Sequence, residues 1–204
     1  MTTPDAKKSN ETDDSKFTVS GWEDEMNDIN EEKNPHETPQ KEILWAAEKG
    51  KLSKIKELLR PNPELVDAVD NDGYTPLHRA CYGNFVDVVD YLLARGSDIS
   101  HKTQMQWQPL HSCCHWNNKE CAIRLIQHGA DVNATSEGDQ TPLHIAASHG
   151  AQYDTVQFLL MHPYIKPEMR NKNGETAYDI AKRSSKYYHL FEMVDPVLKG
   201  IPDI

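Results

Sequence analysis

The chain has 204 residues, enough for one domain with a tail or two small domains, and carries 32 acidic against 22 basic side chains, a formal net charge of −10. That balance argues against nonspecific attachment to nucleic acid or an anionic membrane, since both need clustered Lys and Arg. No run of about 18 apolar residues is present to span a bilayer, and the N-terminus lacks the apolar stretch of a secretory signal.

The four cysteines are therefore expected to be reduced thiols of an intracellular protein, resident in the nucleus, the cytoplasm or both. The sequons at Asn10 and Asn133 read as chance matches in such a protein.

Residues 1–40 differ from the rest. They hold eleven acidic and four basic residues, −7 of the total −10. A segment so charged and so poor in apolar groups cannot offset its ordering entropy, so a disordered acidic tail is expected. Pro35 and Pro39 mark its end. Phe17, Trp22 and Met26 are scattered in it among Glu23, Asp24, Glu25 and Asp28. Such an acidic-hydrophobic mixture can fold onto a basic, apolar groove, or it can be a plain solvating tail.

From Lys41 onward the chain repeats itself. Thr75-Pro76-Leu77-His78 returns 33 residues later as Gln108-Pro109-Leu110-His111 and 33 later again as Thr141-Pro142-Leu143-His144. A degraded copy, Thr176-Ala177-Tyr178-Asp179, follows after 35 residues, and Leu44-Trp45-Ala46-Ala47 opens an earlier copy without Thr-Pro. A fixed period of this size predicts a stacked array. The expected fold is an all-α solenoid of about four helix-turn-helix copies, near 41–71, 72–104, 105–137 and 138–173. A cap over 174–195 and a terminal segment 196–204 complete the expected domain 41–195 and the chain.

Within each copy, Thr75 or its equivalent caps the first helix and Pro76 occupies the first turn, where a missing N–H costs nothing. Leu77, Ala80 and Cys81 form a small-residue inner face, and Val88, Val89, Leu92 and Leu93 recur at helical spacing in the second helix. Gly96 stops that helix in the left-handed region. A hairpin finger joins one copy to the next.

Thr-Pro-Leu-His-x-Ala followed by Leu-Ile-x-x-Gly-Ala-Asp-Val-Asn-Ala resembles the ankyrin repeat, and the likeness runs roughly from Lys41 to Val194. Asn84 and Asn117 stand where that family usually has Gly between the helices; Asn tolerates positive φ, so the turn is expected to survive. Pro61 and Pro63 replace the Gly-Ala of the first copy. Two extra residues and Pro163 predict an irregular second helix and finger in the fourth copy.

His78, His111 and His144 recur one copy apart and so do not converge on a metal. The resemblance implies that each bonds backbone between repeats. Cys113 and Cys114 occupy the positions of the buried Ala146-Ala147 pair, and neighbours on a helix point about 100° apart, so a core role is expected rather than zinc ligation. No Ser-His-Asp spacing, phosphate loop or catalytic carboxylate pair appears in motif form, so neither catalytic residues nor a cofactor is expected. Asn133, eight residues after Leu125, resembles the context in which ankyrin proteins are substrates of an asparaginyl hydroxylase, or is a plain turn-holding Asn.

The resemblance implies that ligands meet the finger tips and the exposed face of the first helices. The candidate partner-binding residues are Tyr74, Arg79, Tyr82, Met105, Trp107, His115, Trp116, Gln140, Ser148 and His149. Exposed large aromatics are unusual without a function, and Tyr, Trp and Arg dominate interface energetics. A monomeric scaffold or adaptor for another protein or peptide is the leading expectation. A nuclear transcription co-regulator with the acidic tail as activation segment is the alternative. The tail is opposite in charge to Arg79 and Lys49, so competition with partners for this surface is also expected.

Overall fold

The computed structural model describes residues 36–149 and 153–192. The expectations placed on Phe17, Trp22 and Met26 lie outside the described residues.

Among the described residues, nine α-helices follow in chain order: α1 (Pro39–Glu48), α2 (Leu52–Leu59), α3 (Pro76–Tyr82), α4 (Val86–Ala94), α5 (Pro109–His115), α6 (Lys119–Gln127), α7 (Pro142–Ser148), α8 (Tyr153–Leu160) and α9 (Ala177–Ser184). They form four helix pairs and a closing helix. Among the described residues the only β-type pairing is one isolated bridge between Arg170 and Thr176.

Helix α1 begins at Pro39, inside the stretch expected to be tail, because the Thr38 side chain accepts from the Lys41 N–H and Pro39 is accommodated in the first turn. Thr75 and Thr141 cap α3 and α7 in the same way, and Thr176 caps α9. In the first three pairs the two helices are separated by a left-handed residue, Gly50, Asn84 and Asn117 in turn, with φ of 64°, 56° and 58°. Gly50 is needed for a second reason. A Cβ there would collide with the Phe85 ring, which also fills the space beside Gly83.

First helices stack on first helices: α1 on α3, α3 on α5, α5 on α7 and α7 on α9. The second helices α4, α6 and α8 form a parallel layer. Leu77, Leu110 and Leu143 occupy the same place in successive copies and are fully enclosed, alongside Ala80-Cys81, Cys113-Cys114 and Ala146-Ala147. Small residues in these pairs let neighbouring first helices approach closely. Truncating one of the leucines to Ala is expected to cost about 2–5 kcal/mol.

The fourth copy departs less than its sequence suggests. Helix α8 runs from Tyr153 to Leu160, and the turns around His162–Met169 lead from it to the finger. Its finger closes like the others. The backbone N–H groups of Asp70, Thr103, Ser136 and Asn171 donate to the carbonyls of Tyr74, Trp107, Gln140 and Glu175, at 3.2, 2.9, 2.9 and 2.9 Å.

Candidate functional site

The recurrent histidines are enclosed and hold copy to copy. His78 Nδ1 accepts from the Thr75 N–H at 3.2 Å, and its Nε2 donates to the Trp107 carbonyl at 3.1 Å. His111 repeats this with the Gln108 N–H and the carbonyls of Ala134 and Gln140, and His144 with the Thr141 N–H and the Glu175 carbonyl. A nitrogen facing a carbonyl must carry the proton, so each ring is the neutral Nε2–H tautomer. Burial pushes His78 down to about 3 and His111 to about 4, and lowers His144.

All four cysteines are enclosed free thiols. Burial raises the pKa of Cys113, Cys114 and Cys121, which removes the thiolate needed for nucleophilic or metal chemistry. Among the described residues, no group of three His, Cys, Asp or Glu side chains is placed to hold a metal ion. No helix among them is long and apolar enough to cross a membrane.

The structure divides the expected binding residues. Tyr74 and Trp107 were expected on the free face but are buried, only 5% and 8% exposed. Each immediately precedes an N-cap, and its ring folds back over the first turn of the helix that follows, as a hydrophobic staple does. Tyr74 meets His78 edge-on at 5.6 Å and lies 5.3 Å from the Arg79 guanidinium. Trp107 stacks against His111 at 6.5 Å and tilts over His115 at 5.3 Å. The staple position was readable from the Thr-Pro motif. Ser112 and Ile145, on the first helices of the third and fourth copies, are also buried.

Arg79 is held by Asp70 at 2.7 Å and by Glu48 at 3.6 Å, and Lys49 by Glu48 at 2.8 Å. Both cations are thus paired within the repeats, and the expectation that the tail competes here lies on residues outside the described ones.

Tyr82, His115, Trp116 and His149 come together where α3, α5 and α7 end. Tyr82 and Trp116 meet edge to face at 4.9 Å, and His115 meets Trp116 at 4.8 Å. His115 Nδ1 and His149 Nε2 lie 3.0 Å apart, sharing one hydrogen bond across adjacent copies. Burial pushes His115 down to about 4. Beside the cluster, Ser148 is exposed and donates to the Ile145 carbonyl at 2.8 Å. Gln140 is half-buried, and its carbonyl accepts from His111. Met105 projects from its finger, 53% exposed.

Asn133 is clamped at both ends of its amide. Its Nδ2 donates to the Tyr164 carbonyl at 2.8 Å and its Oδ1 accepts from the Lys166 N–H at 2.9 Å. Asp67 holds the equivalent place two periods earlier, accepting from the Ser97 hydroxyl and the Asp98 N–H.

Two finger residues escaped the sequence reading. Gln106 and Asp139 adopt left-handed backbone, φ 59° and 57°, where the neighbouring fingers carry Gly73 and Gly174. Gln gives no composition signal for that conformation, and only alignment of the copies against one another could have exposed it.

Stacked helix pairs, capped by Thr-Pro-Leu-His and laced by histidine-to-carbonyl bonds, define a repeat scaffold of the ankyrin type. The family model for ankyrin repeats (3 copies) matches residues 26–103, 43–136 and 97–173, and the chain belongs to that family. Over most of its length it is similar to ankyrin repeat domain-containing protein 49. Identity is 51% over 186 residues with the Homo sapiens protein, covering 88% of this chain and 78% of the relative. It is 56% over 165 residues with that of Bos taurus, covering 81% and 69%. With the Drosophila melanogaster protein it is 51% over 175 residues, covering 85% and 81%. Ankyrin repeats generally mediate protein–protein interaction.

Proposed function

We propose that the chain is an intracellular adaptor that works as a monomer, without cofactor or catalysis. It captures one protein or peptide partner on the surface formed by the ends of its first helices and its fingers. The observation that carries this reading is the gathering of Tyr82, His115, Trp116 and His149 across three consecutive copies. Within a single helix these residues would be ordinary, but side by side they make an aromatic patch that joins Tyr and Trp, two of the residue types that dominate binding energy. Trp107 packs against His115 of the patch, and Met105, Gln140 and Ser148 are the further candidate contacts.

The test is a Tyr82→Ala/Trp116→Ala variant used as bait beside the wild-type chain and a Leu110→Ala control. Partner recovery is expected to fall by about tenfold or more. Stability is expected to fall by less per side chain removed than in the Leu110→Ala control, because Tyr82 and Trp116 are only half-buried whereas Leu110 is fully enclosed. Undiminished recovery would place the partner elsewhere. Destabilisation as large as that of Leu110→Ala would make the pair core.

The composition of residues 1–40 favours a second reading, in which this segment acts as a transcriptional activation segment in the nucleus while the repeats choose the target. A reporter driven by residues 1–40 fused to a DNA-binding domain separates the two readings. Activation that disappears with Phe17→Ala, Trp22→Ala and Met26→Ala would support co-regulation, and a silent fusion would leave the adaptor alone.

A further inference from the structure

The loop that carries Trp116 is tied to both neighbouring copies. Trp116 ends α5, Asn117 is the left-handed residue after it, and Asn118 opens α6. The Thr155 hydroxyl, on α8 of the fourth copy, donates to Asn117 Oδ1 at 2.8 Å. Asn118 Nδ2 reaches the other way, to the carbonyls of Cys81 and Tyr82 in the second copy, at 2.7 and 2.8 Å. Residues 116–118 are therefore held between copies two and four, and one of these bonds ends on Tyr82 itself.

Stacking alone does not ask for either bridge. Thr155 is fully enclosed, at the place that Ile55, Val88 and Cys121 fill on α2, α4 and α6. Three copies use an apolar side chain there, and a buried hydroxyl is unfavourable unless it is bonded. Asn118 stands where Lys51 and Phe85 precede α2 and α4. Asn at such a place ordinarily caps its own helix. Asn118 makes no such cap and directs its amide to the end of α3. The copy held by both bridges is the one whose first helix ends on Trp116, where the second copy has Gly83. Tyr82 and Trp116 meet with their rings at 87°. A ring pair whose attachment points are fixed has less freedom to lose when a partner covers it.

We propose that Thr155 and Asn118 are positioning residues for partner capture. Thr155 fixes Asn117, Asn118 fixes the Tyr82 main chain, and together they hold the Tyr82–Trp116 pair in the arrangement a partner meets. Thr155 is enclosed, so it acts only through Asn117. This inference rests on the adaptor reading and names the interior groups that pre-form its surface.

The test compares Thr155→Val, which keeps the volume and loses the hydroxyl, with Thr155→Ser, which keeps the hydroxyl and loses a methyl. The probe is a peptide recovered from a randomised displayed library on the purified full-length chain, with affinity measured by fluorescence anisotropy. Thr155→Val is expected to bind it roughly threefold to tenfold more weakly than wild type. Thr155→Ser is expected to bind as tightly as wild type while melting lower than Thr155→Val. A merely structural Thr155 would rank affinity with melting temperature, the Val variant above the Ser variant. In chains labelled with 5-fluorotryptophan, the Trp116 fluorine line is expected to shift or broaden in Thr155→Val and to return in Thr155→Ser. Unchanged affinity or an unchanged Trp116 line in Thr155→Val, or equal losses in the two variants, would each overturn the proposal. No recovered peptide, or one that binds Tyr82→Ala/Trp116→Ala normally, would remove the adaptor surface and the capture role with it. A peptide that needs this pair but not the Thr155 hydroxyl would leave the surface standing and remove only the positioning role.

Discussion

His111 joins three roles in one ring. It completes the cap of α5, crosses to the next copy through two carbonyls and fills core volume. His111→Ala leaves those groups unpaired and opens a cavity, so a loss of about 3–5 kcal/mol is expected in urea unfolding. The pH dependence follows from the same burial. The folded pKa values of His78 and His111, about 3 and about 4, lie below the ordinary 6.5. Between these limits the unfolded chain takes up protons that the native chain refuses. Stability is therefore complete above pH 6.5 and is lost as pH falls towards 4, by up to about 1.4 kcal/mol per pH unit for each ring. Melting temperatures measured across this range should fall steeply with acid, and a flat profile would contradict neutral buried rings. The thiols give a further check. Cys81, Cys113, Cys114 and Cys121 are enclosed, so a thiol reagent should label none of them in the native state and all four in denaturant.

At the scale of elements, the helix pairs were legible because the period of 33 residues and Thr-Pro-Leu-His fix cap, first turn and inner face together. Asn84 and Asn117 were legible as left-handed because Asn tolerates that backbone. The direction of Tyr74 and Trp107 was not read correctly. Aromatic residues beside a finger suggest exposure, but the staple geometry ahead of an N-cap turns them inward. The His115–His149 contact was also hidden, since it joins residues 34 apart through the stacking of α5 on α7. Side chains that bridge copies make the elements cooperative. Asn118 Nδ2 donates to the carbonyls of Cys81 and Tyr82, at 2.7 and 2.8 Å, satisfying the end of α3 from the next copy. Asn118→Ala is expected to cost about 1–3 kcal/mol and to quicken amide exchange at the end of α3 as well as α5. Faster exchange confined to α5 would show that the bridge carries no coupling.

For the whole molecule, the division of labour is between a core that fixes most positions and a surface left free to vary. Enclosed leucines, small-residue pairs and histidines are spent on stacking. On the adaptor reading we propose, Tyr82, His115, Trp116 and His149, with the fingers beside them, are where a partner is chosen. The most direct measurement of this claim is site-specific photo-cross-linking to the captured partner. A cross-linker placed at Ser148 or Met105 should yield the partner adduct, whereas one at Glu57 or Arg124, exposed on the second helices, should not. Adducts from Glu57 or Arg124 with none from Ser148 and Met105 would contradict the account.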